Sequence, residues 1–168
     1  MATLSLLVVF PFLMAYAAAR DLLTMLIPNT VSVALALAFA AFAVGTGLGW
    51  AEVAGHVGAG AATLAITFTL FAFGFIGGGD AKLAAATALW IGFDHLIEYL
   101  MVASLAGGAL TLALLVIRSW PLPFAMARLP FALRLHDTKT GVPYGIALAL
   151  AALLVLPETL LWTRGLAA

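Results

Sequence analysis

Long apolar runs, separated by short polar or glycine-rich breaks, dominate the pattern of this chain. A helix needs about 20 mostly apolar residues to cross roughly 30 Å of hydrocarbon. The pattern therefore predicts about six transmembrane helices in a single integral-membrane domain that covers residues 1–168. The predicted helices cover about residues 3–20, 28–48, 53–76, 80–93, 95–117 and 142–162.

Composition supports a membrane protein. Of 168 residues, 65% are hydrophobic and 8% are charged, whereas soluble domains are about half apolar and a quarter charged. Lipid offers no hydrogen bonds to an exposed backbone, so spanning segments of this kind form helices. We expect an all-α, polytopic fold.

The first apolar run, residues 4–15, leads into small residues and so imitates a secretory signal peptide. No Lys or Arg precedes it, and signal peptides carry a positive segment at that point. We therefore interpret the run as the first membrane helix.

The basic residues predict the orientation, because Lys and Arg near short loops stay in the cytoplasm. With six crossings, six of the seven basic residues fall on one face and Arg164 alone falls on the other. The six are Arg20, Lys82, Arg118, Arg128, Arg134 and Lys139. This places loop 118–141 in the cytoplasm and both termini outside.

Charge and cysteine content exclude several classes of function. Seven basic and seven acidic residues give a net charge of zero, so no overall field recruits nucleic acid. The chain has no cysteine, which excludes disulfides, thiolate zinc sites and a cysteine nucleophile.

Two acids lie where acids are costly. Asp21 follows the first predicted helix, and Asp80 follows the three glycines 77–79. A helix over 80–93 is about 20 Å long, so Asp80 would lie about 10 Å below the inner surface. An ionisable group at that depth is a functional candidate, and irregular backbone there implies a water-filled pocket. Glycine would also admit positive φ and close approach of a peptide.

Two neighbouring carboxyls that share a proton can activate a water and protonate a departing amide. A structural alternative remains open from spacing alone. In it, Asp80 caps its helix and pairs with Lys82, while Asp21 pairs with Arg20.

Other polar residues group near the opposite surface: Glu52, His56, Asp94, His95 and Glu98. They have the side chains of a divalent metal site, but solvated interfacial charges are the preferred interpretation. We expect no metal and no cofactor. The four tryptophans, Trp50, Trp90, Trp120 and Trp162, fall near predicted span ends, as in an aromatic belt.

Three motifs resemble the type IV prepilin peptidases, a family of membrane aspartic proteases. The run Gly77-Gly78-Gly79-Asp80-Ala81-Lys82-Leu83 resembles the family's Gly-x-Gly-Asp-x-Lys-Leu motif, and Asp21 with Ile27-Pro28-Asn29 resembles its first aspartate and Ile-Pro-Asn element. Gly141-Val142-Pro143-Tyr144-Gly145 resembles the start of the last helix in the short branch that serves tight-adherence (Flp) pili.

The resemblance implies a catalytic pair, Asp21 and Asp80, in a loop shaped by Gly77 and Gly79. Lys82 matches a recurring family position of unassigned role, and Pro28 and Asn29 accompany the site. The implied substrates are prepilins and pseudopilins, cut after a glycine next to their hydrophobic helix. The implied location is the bacterial inner membrane, with the active site facing the cytoplasm. Larger members carry a cysteine-rich zinc domain and also methylate the product, so a chain without cysteine is expected to cleave without methylating.

Two other functions compete with this interpretation. One is a small transporter or proton-coupled subunit that uses Asp21 and Asp80 as ion ligands at a broken helix. The other is a noncatalytic assembly protein of a secretion machine. A need for both acids in leader cleavage would separate the peptidase from either alternative.

Overall fold

The computed structural model describes residues 5–167, and the regular structure of this part of the chain is entirely helical. A π-helical turn, Ser5–Val9, precedes the first α-helix. The α-helices in chain order are α1 (Phe10–Thr24), α2 (Asn29–Thr46), α3 (Trp50–Ala72), α4 (Gly78–Ile91), α5 (Leu96–Arg118), α6 (Pro130–His136), α7 (Gly145–Val155) and α8 (Leu160–Ala167). Short 3-10 turns lie at Met126–Arg128 and Leu156–Glu158.

Four helical segments in the described residues are long and apolar enough to cross a membrane: Leu6–Thr24, α2, α3 and α5. The pair α7 and α8, bent by 66°, makes a fifth crossing if the two form one broken span. The prediction of an all-α polytopic membrane protein is confirmed. The predicted crossing at 80–93 corresponds to α4, which has 14 residues and is about 21 Å long, less than the hydrocarbon thickness.

The predicted helix 142–162 is not continuous. It is α7, which ends at Val155, followed by a 3-10 turn that contains Pro157 and then by α8. Proline has no N–H to donate, and its ring clashes with the carbonyl one turn earlier, so a helix breaks there. The Thr159 hydroxyl then lies 3.4 Å from the Trp162 N–H, as an N-cap does at the start of a new helix.

Other bounds also differ from the prediction. The predicted start of the first helix at Thr3 lies outside the described residues. Its end is four residues beyond Arg20, at Thr24, where Met25 adopts a left-handed φ of 55°. Asp21 therefore lies inside the last turn of α1 rather than after the helix. Loop 118–141 contains the short α6 and one of the 3-10 turns.

The core is built around α4, and nine of its 14 residues are buried. Trp90 is fully buried, and the rings of Phe10, Phe39 and Phe42 surround it at centroid distances of 5.1 to 5.9 Å. Its indole N–H donates to the Leu35 carbonyl at 3.0 Å. The prediction that Trp90 belongs to an interfacial belt is therefore wrong. Enclosure by neighbouring helices also explains how so short a helix is accommodated at membrane depth.

Candidate active site

Asp21 and Asp80 face the same pocket at one end of the bundle. The pocket has a volume of about 210 Å³. Its lining consists of Asp21, Met25, Leu26, Ile27, Gly77, Gly78, Gly79 and Asp80. Only 6% of the Asp21 surface is exposed, whereas Asp80 is partly exposed. The structure thus brings together two acids that are 59 positions apart in the sequence.

Asp21 is held by the backbone of α7. Its Oδ2 accepts a hydrogen bond from the Gly145 N–H at 2.7 Å. Gly145 is the first residue of α7, so its N–H has no partner within the helix and lies at the positive end of the helix dipole. A Cβ at this position would lie 2.9 Å from Asp21 Oδ2 and 2.8 Å from Ile27 Cδ1. Only glycine fits this contact.

Asp80 is the third residue of α4, whose N-cap is Gly77. A Cβ on Gly77 would lie 2.8 Å from Asp80 Oδ2, and one on Gly79 would lie 3.1 Å from Ile27 Cβ. Gly77 has a φ of −72°, and neither Gly77 nor Gly79 is among the described glycines with positive φ. The expectation of positive φ is therefore wrong for both. Close approach of neighbouring atoms is what requires glycine.

The structural alternative paired Lys82 with Asp80, but Lys82 bonds to Asn29 instead. Its Nζ donates to Asn29 Oδ1 at 2.9 Å. Pro28 is the N-cap of α2, with an extended ψ of 139°, so it directs Asn29 into the first turn beside Lys82. Among residues 5–167, the salt bridges are His95–Glu98 and Glu52–Arg164. Asp21 and Asp80 thus have no ion-pair partner in the part of the chain that the structure describes.

The model of the "Type IV leader peptidase family" matches residues 8–112, more than half of the chain. The chain belongs to the type IV leader peptidase family. No curated protein and no solved structure matches it. The match includes Asp21 and Asp80 and ends before Gly141. Family membership implies that the protein is a membrane peptidase that acts on leader-bearing substrates.

In this family member, the turn before α7 is tied to three other helices. The Arg118 guanidinium, at the end of α5, donates to the carbonyls of Leu135 at 2.6 Å and Gly141 at 2.9 Å. Arg134 of α6 donates to the Leu23 carbonyl of α1 at 3.2 Å. These bonds hold the segment that carries Gly145 above the end of α1, where Asp21 lies.

Tyr144 adds a contact on the other side of the turn. Its hydroxyl donates to the Ala103 carbonyl at 3.2 Å, and its ring lies against Gly107 of α5, where a Cβ would overlap the ring. Sequence analysis identified residues 141–145 as a motif but predicted no role for Tyr144, Gly107 or Arg118. A glycine in the middle of an apolar helix was the only local signal for this contact.

The leader peptidase has a second pocket at the opposite end of the bundle, with a volume of about 250 Å³ and with Glu52, His56, Asp94 and His95 in its lining. Glu52 accepts two hydrogen bonds from Arg164, at 2.6 and 3.0 Å. His56 Nδ1 bonds to the Leu89 carbonyl at 2.8 Å, and His95 bonds to Glu98 at 2.9 Å. No group of three or more His, Cys, Asp or Glu side chains within residues 5–167 has the arrangement of a metal site.

Proposed function

We propose that this protein is an aspartic leader peptidase in which Asp21 and Asp80 form the catalytic pair. The observation that carries the proposal is the shared pocket, in which two carboxyl groups face one small space without a cationic partner among residues 5–167. Because two carboxylates that face one small pocket repel each other, we propose that the pair holds one proton between them.

Such a pair supplies both functions that hydrolysis of a peptide bond requires. The ionised carboxylate accepts a proton from water, whose oxygen attacks the scissile carbonyl. The protonated carboxyl then donates to the amide nitrogen as the C–N bond breaks. Gly77 and Gly79 keep the pocket open to an extended peptide, because a side chain at either position would contact Asp80 or Ile27.

The proposed substrates are prepilins and pseudopilins of the Flp type, cut after a glycine that precedes their hydrophobic helix. The support for this branch is the resemblance of Gly141-Val142-Pro143-Tyr144-Gly145, whose last residue donates to Asp21. A junction between a polar leader and an apolar helix also matches a polar pocket at the end of a membrane bundle.

Leader cleavage by the purified protein tests the proposal. A candidate prepilin is mixed with the enzyme in detergent, and the products are identified by mass. Loss of general acid–base catalysis predicts that Asp21→Asn and Asp80→Asn each lower cleavage about 10²- to 10⁴-fold. Glu52→Gln, at the opposite pocket, is the matched control and should cleave at the wild-type rate. Near wild-type turnover by either aspartate variant would contradict the catalytic pair.

We also propose that the pocket faces the cytoplasm from the inner membrane. In the sequence, Arg20 directly precedes Asp21, and Lys82 lies two positions after Asp80. Arg118 and Arg134 hold the loop over the same end. Arg164 is at the other end, paired with Glu52. This distribution follows the rule that basic residues near short loops stay in the cytoplasm.

Cysteine labelling in intact cells tests the orientation, because the chain has no native cysteine. Thr138 and Thr163 are exposed sites at the two ends, whereas Gly165 is unsuitable because a Cβ there would lie 2.6 Å from Leu6. An impermeant maleimide should label a cysteine at Thr163 in intact cells. It should label one at Thr138 only after permeabilisation, and the reverse pattern would contradict the proposed orientation.

A further inference from the structure

A long groove separates α2 from α3 on the outer surface of the bundle. Its floor is α4, which contributes Ala85, Ala86 and Leu89. Two cavities of about 540 and 520 Å³ make up its length, and both are lined by Ala36, Val57 and Leu89. The groove is therefore continuous from the start of α2 to its end.

The length of the groove matches the thickness of a membrane. Asn29, the first residue of α2, lines one end, and Trp50, the first residue of α3, lines the other. The 18 residues of α2 correspond to about 27 Å, close to the roughly 30 Å of hydrocarbon. The acyl chains of one phospholipid cover a single leaflet, about half of that distance. A single transmembrane helix covers all of it.

The walls favour a helix over acyl chains. Small side chains line the groove on all three helices, including Ala36, Ala40, Ala61 and Ala85. Small residues let two helix backbones approach closely, and van der Waals packing of this kind drives helix association in lipid. Val33 and Val57 are 56% and 48% exposed, so the groove's walls present apolar surface to an occupant.

The groove has a polar end, and that end adjoins the catalytic pocket. Its polar lining residues are Asn29, Ser32 and Lys82. Ile27 lines the pocket and Asn29 lines the groove, so the segment between them is a wall of both. Gly78 lines the pocket one helical turn before Lys82. A chain that leaves this end of the groove has to cross only that turn of α4 to reach Asp80.

We propose that this groove holds the transmembrane helix of the prepilin substrate, with the leader junction at its polar end entering the pocket of Asp21 and Asp80. This inference rests on the proposed function. To the catalytic pair it adds a second recognition surface, the groove, which selects substrates by their transmembrane helix. A leader peptide without that helix would reach the same carboxyls but would leave the groove empty.

Photocrosslinking identifies the occupant directly. Benzoylphenylalanine is placed at Val57, on the groove, or at Met101, an exposed position on α5 that serves as the control. Both are made in the Asp80→Asn protein, which should hold the full-length prepilin uncleaved. We expect a crosslink from position 57 to the hydrophobic helix of the prepilin and none from position 101. Crosslinks from position 57 only to phospholipid, or only to a second copy of the enzyme, would overturn the assignment.

A kinetic comparison uses the otherwise wild-type enzyme. Ala61→Phe fills the groove from an exposed position, and Ala109→Phe makes the same change at an exposed position on α5. For full-length prepilin, Ala61→Phe should lower kcat/KM at least tenfold, mostly through KM, while Ala109→Phe leaves it unchanged. For a peptide that spans the junction but lacks the helix, both variants should equal the wild type.

The two failures can be distinguished. Undiminished cleavage of full-length prepilin by Ala61→Phe would overturn the groove assignment and leave the peptidase proposal standing. Wild-type enzyme that cleaves no prepilin, or Asp80→Asn enzyme that still cleaves, would overturn the proposed function and the groove assignment with it.

Discussion

Each end of the bundle has an acidic residue in the first turn of a helix, but the two acids differ in their bonding partners. Glu52 and Asp80 are each the third residue of a helix whose N-cap is a glycine, Gly49 or Gly77. The helix dipole favours a negative charge at both positions. Glu52 also accepts two bonds from Arg164, whereas no cation bonds to Asp80 anywhere in residues 5–167. One acid stabilises the fold, and the other remains available for chemistry.

The neighbouring groups repeat this difference. At the Glu52 end, His56 bonds to a backbone carbonyl, and His95 pairs with Glu98. At the Asp80 end, Asp21 accepts its bond from an uncharged backbone N–H, and Lys82 bonds to the neutral side chain of Asn29. Both pockets are of similar size. Cavity volume and acid content therefore do not distinguish the two ends. The partners of the carboxyls differ between them, and this difference supports the pocket of Asp21 and Asp80 as the proposed active site.

Among changes outside the catalytic pair itself, the largest effect is expected at Gly145. A Cβ there would lie 2.9 Å from Asp21 Oδ2 and 3.1 Å from Asp21 Cβ, so Gly145→Ala should move the carboxyl. Displacement of a catalytic group by about 1 Å can lower the rate about 100-fold, and we expect a loss of that size in kcat for leader cleavage. Gly141→Ala, in the same turn but with no atom within 4 Å of its Cβ position, is the control and should keep its activity. Equal rates for the two variants would show that the contact with Asp21 is dispensable.

A smaller effect is expected at Gly107, which contacts Tyr144 rather than Asp21. A Cβ on Gly107 would overlap the Tyr144 ring, whereas one on the adjacent Gly108 would meet nothing within 4 Å. Gly107→Ala should therefore shift the start of α7 and lower kcat about tenfold, a fraction of the direct displacement. Both substitutions remove a glycine from the interior of α5, so Gly108→Ala controls for helix propensity. A loss of activity in both variants would trace the effect to α5 itself rather than to Tyr144.

At the opposite end, Arg164→Ala should change stability and leave catalysis intact. The Arg164 and Glu52 side chains are 38% and 33% exposed, and partly exposed ion pairs contribute about 1 kcal/mol or less. Thermal unfolding in detergent should show a correspondingly small decrease in Tm, while the rate of leader cleavage stays at the wild-type value. A large fall in kcat would mean that the two ends are coupled, contrary to the comparison above.

The smallest expected effect is that of EDTA, which should leave cleavage unchanged. The pocket offers two carboxylates among glycines and apolar side chains, and such a set lacks the three or four ligands of a zinc site. Activity is measured before and after chelation in the same preparation. If EDTA inhibits cleavage and Zn²⁺ or Mn²⁺ restores it, the result would indicate a metal-dependent site in the pocket of His56 and His95.

The sequence predicted the helical membrane fold and singled out Asp21 and Asp80, because hydropathy, glycine breaks and a costly buried charge are local signals. It also contained a signal for the broken last span, since Pro157 lies inside the predicted helix 142–162, five residues before its end. The contacts that hold the site have no such signal. The bond from Gly145 to Asp21 joins residues 124 positions apart, and only the packing of α7 on α1 creates it.

Trp90 illustrates the same limit. Its position near a predicted span end resembles that of an interfacial tryptophan, yet α4 is enclosed by other helices and the ring lies in the core. Hydropathy does not distinguish a lipid-facing end from a protein-enclosed one. The tertiary arrangement decides between them.

The shortness of α4 has a consequence for the direction of the reaction. A helix of about 21 Å is shorter than a hydrocarbon layer of roughly 30 Å. In the proposed orientation, with Asp94 at the outer surface, the first turn of α4 lies below the cytoplasmic surface. In the proposed reaction the peptide bond would be cut at the boundary between two phases. The polar leader then dissolves in the cytoplasm, while the apolar helix stays in the bilayer. Because the fragments no longer share a solvent, resynthesis of the bond is suppressed by dilution, and cleavage proceeds to completion without an energy source.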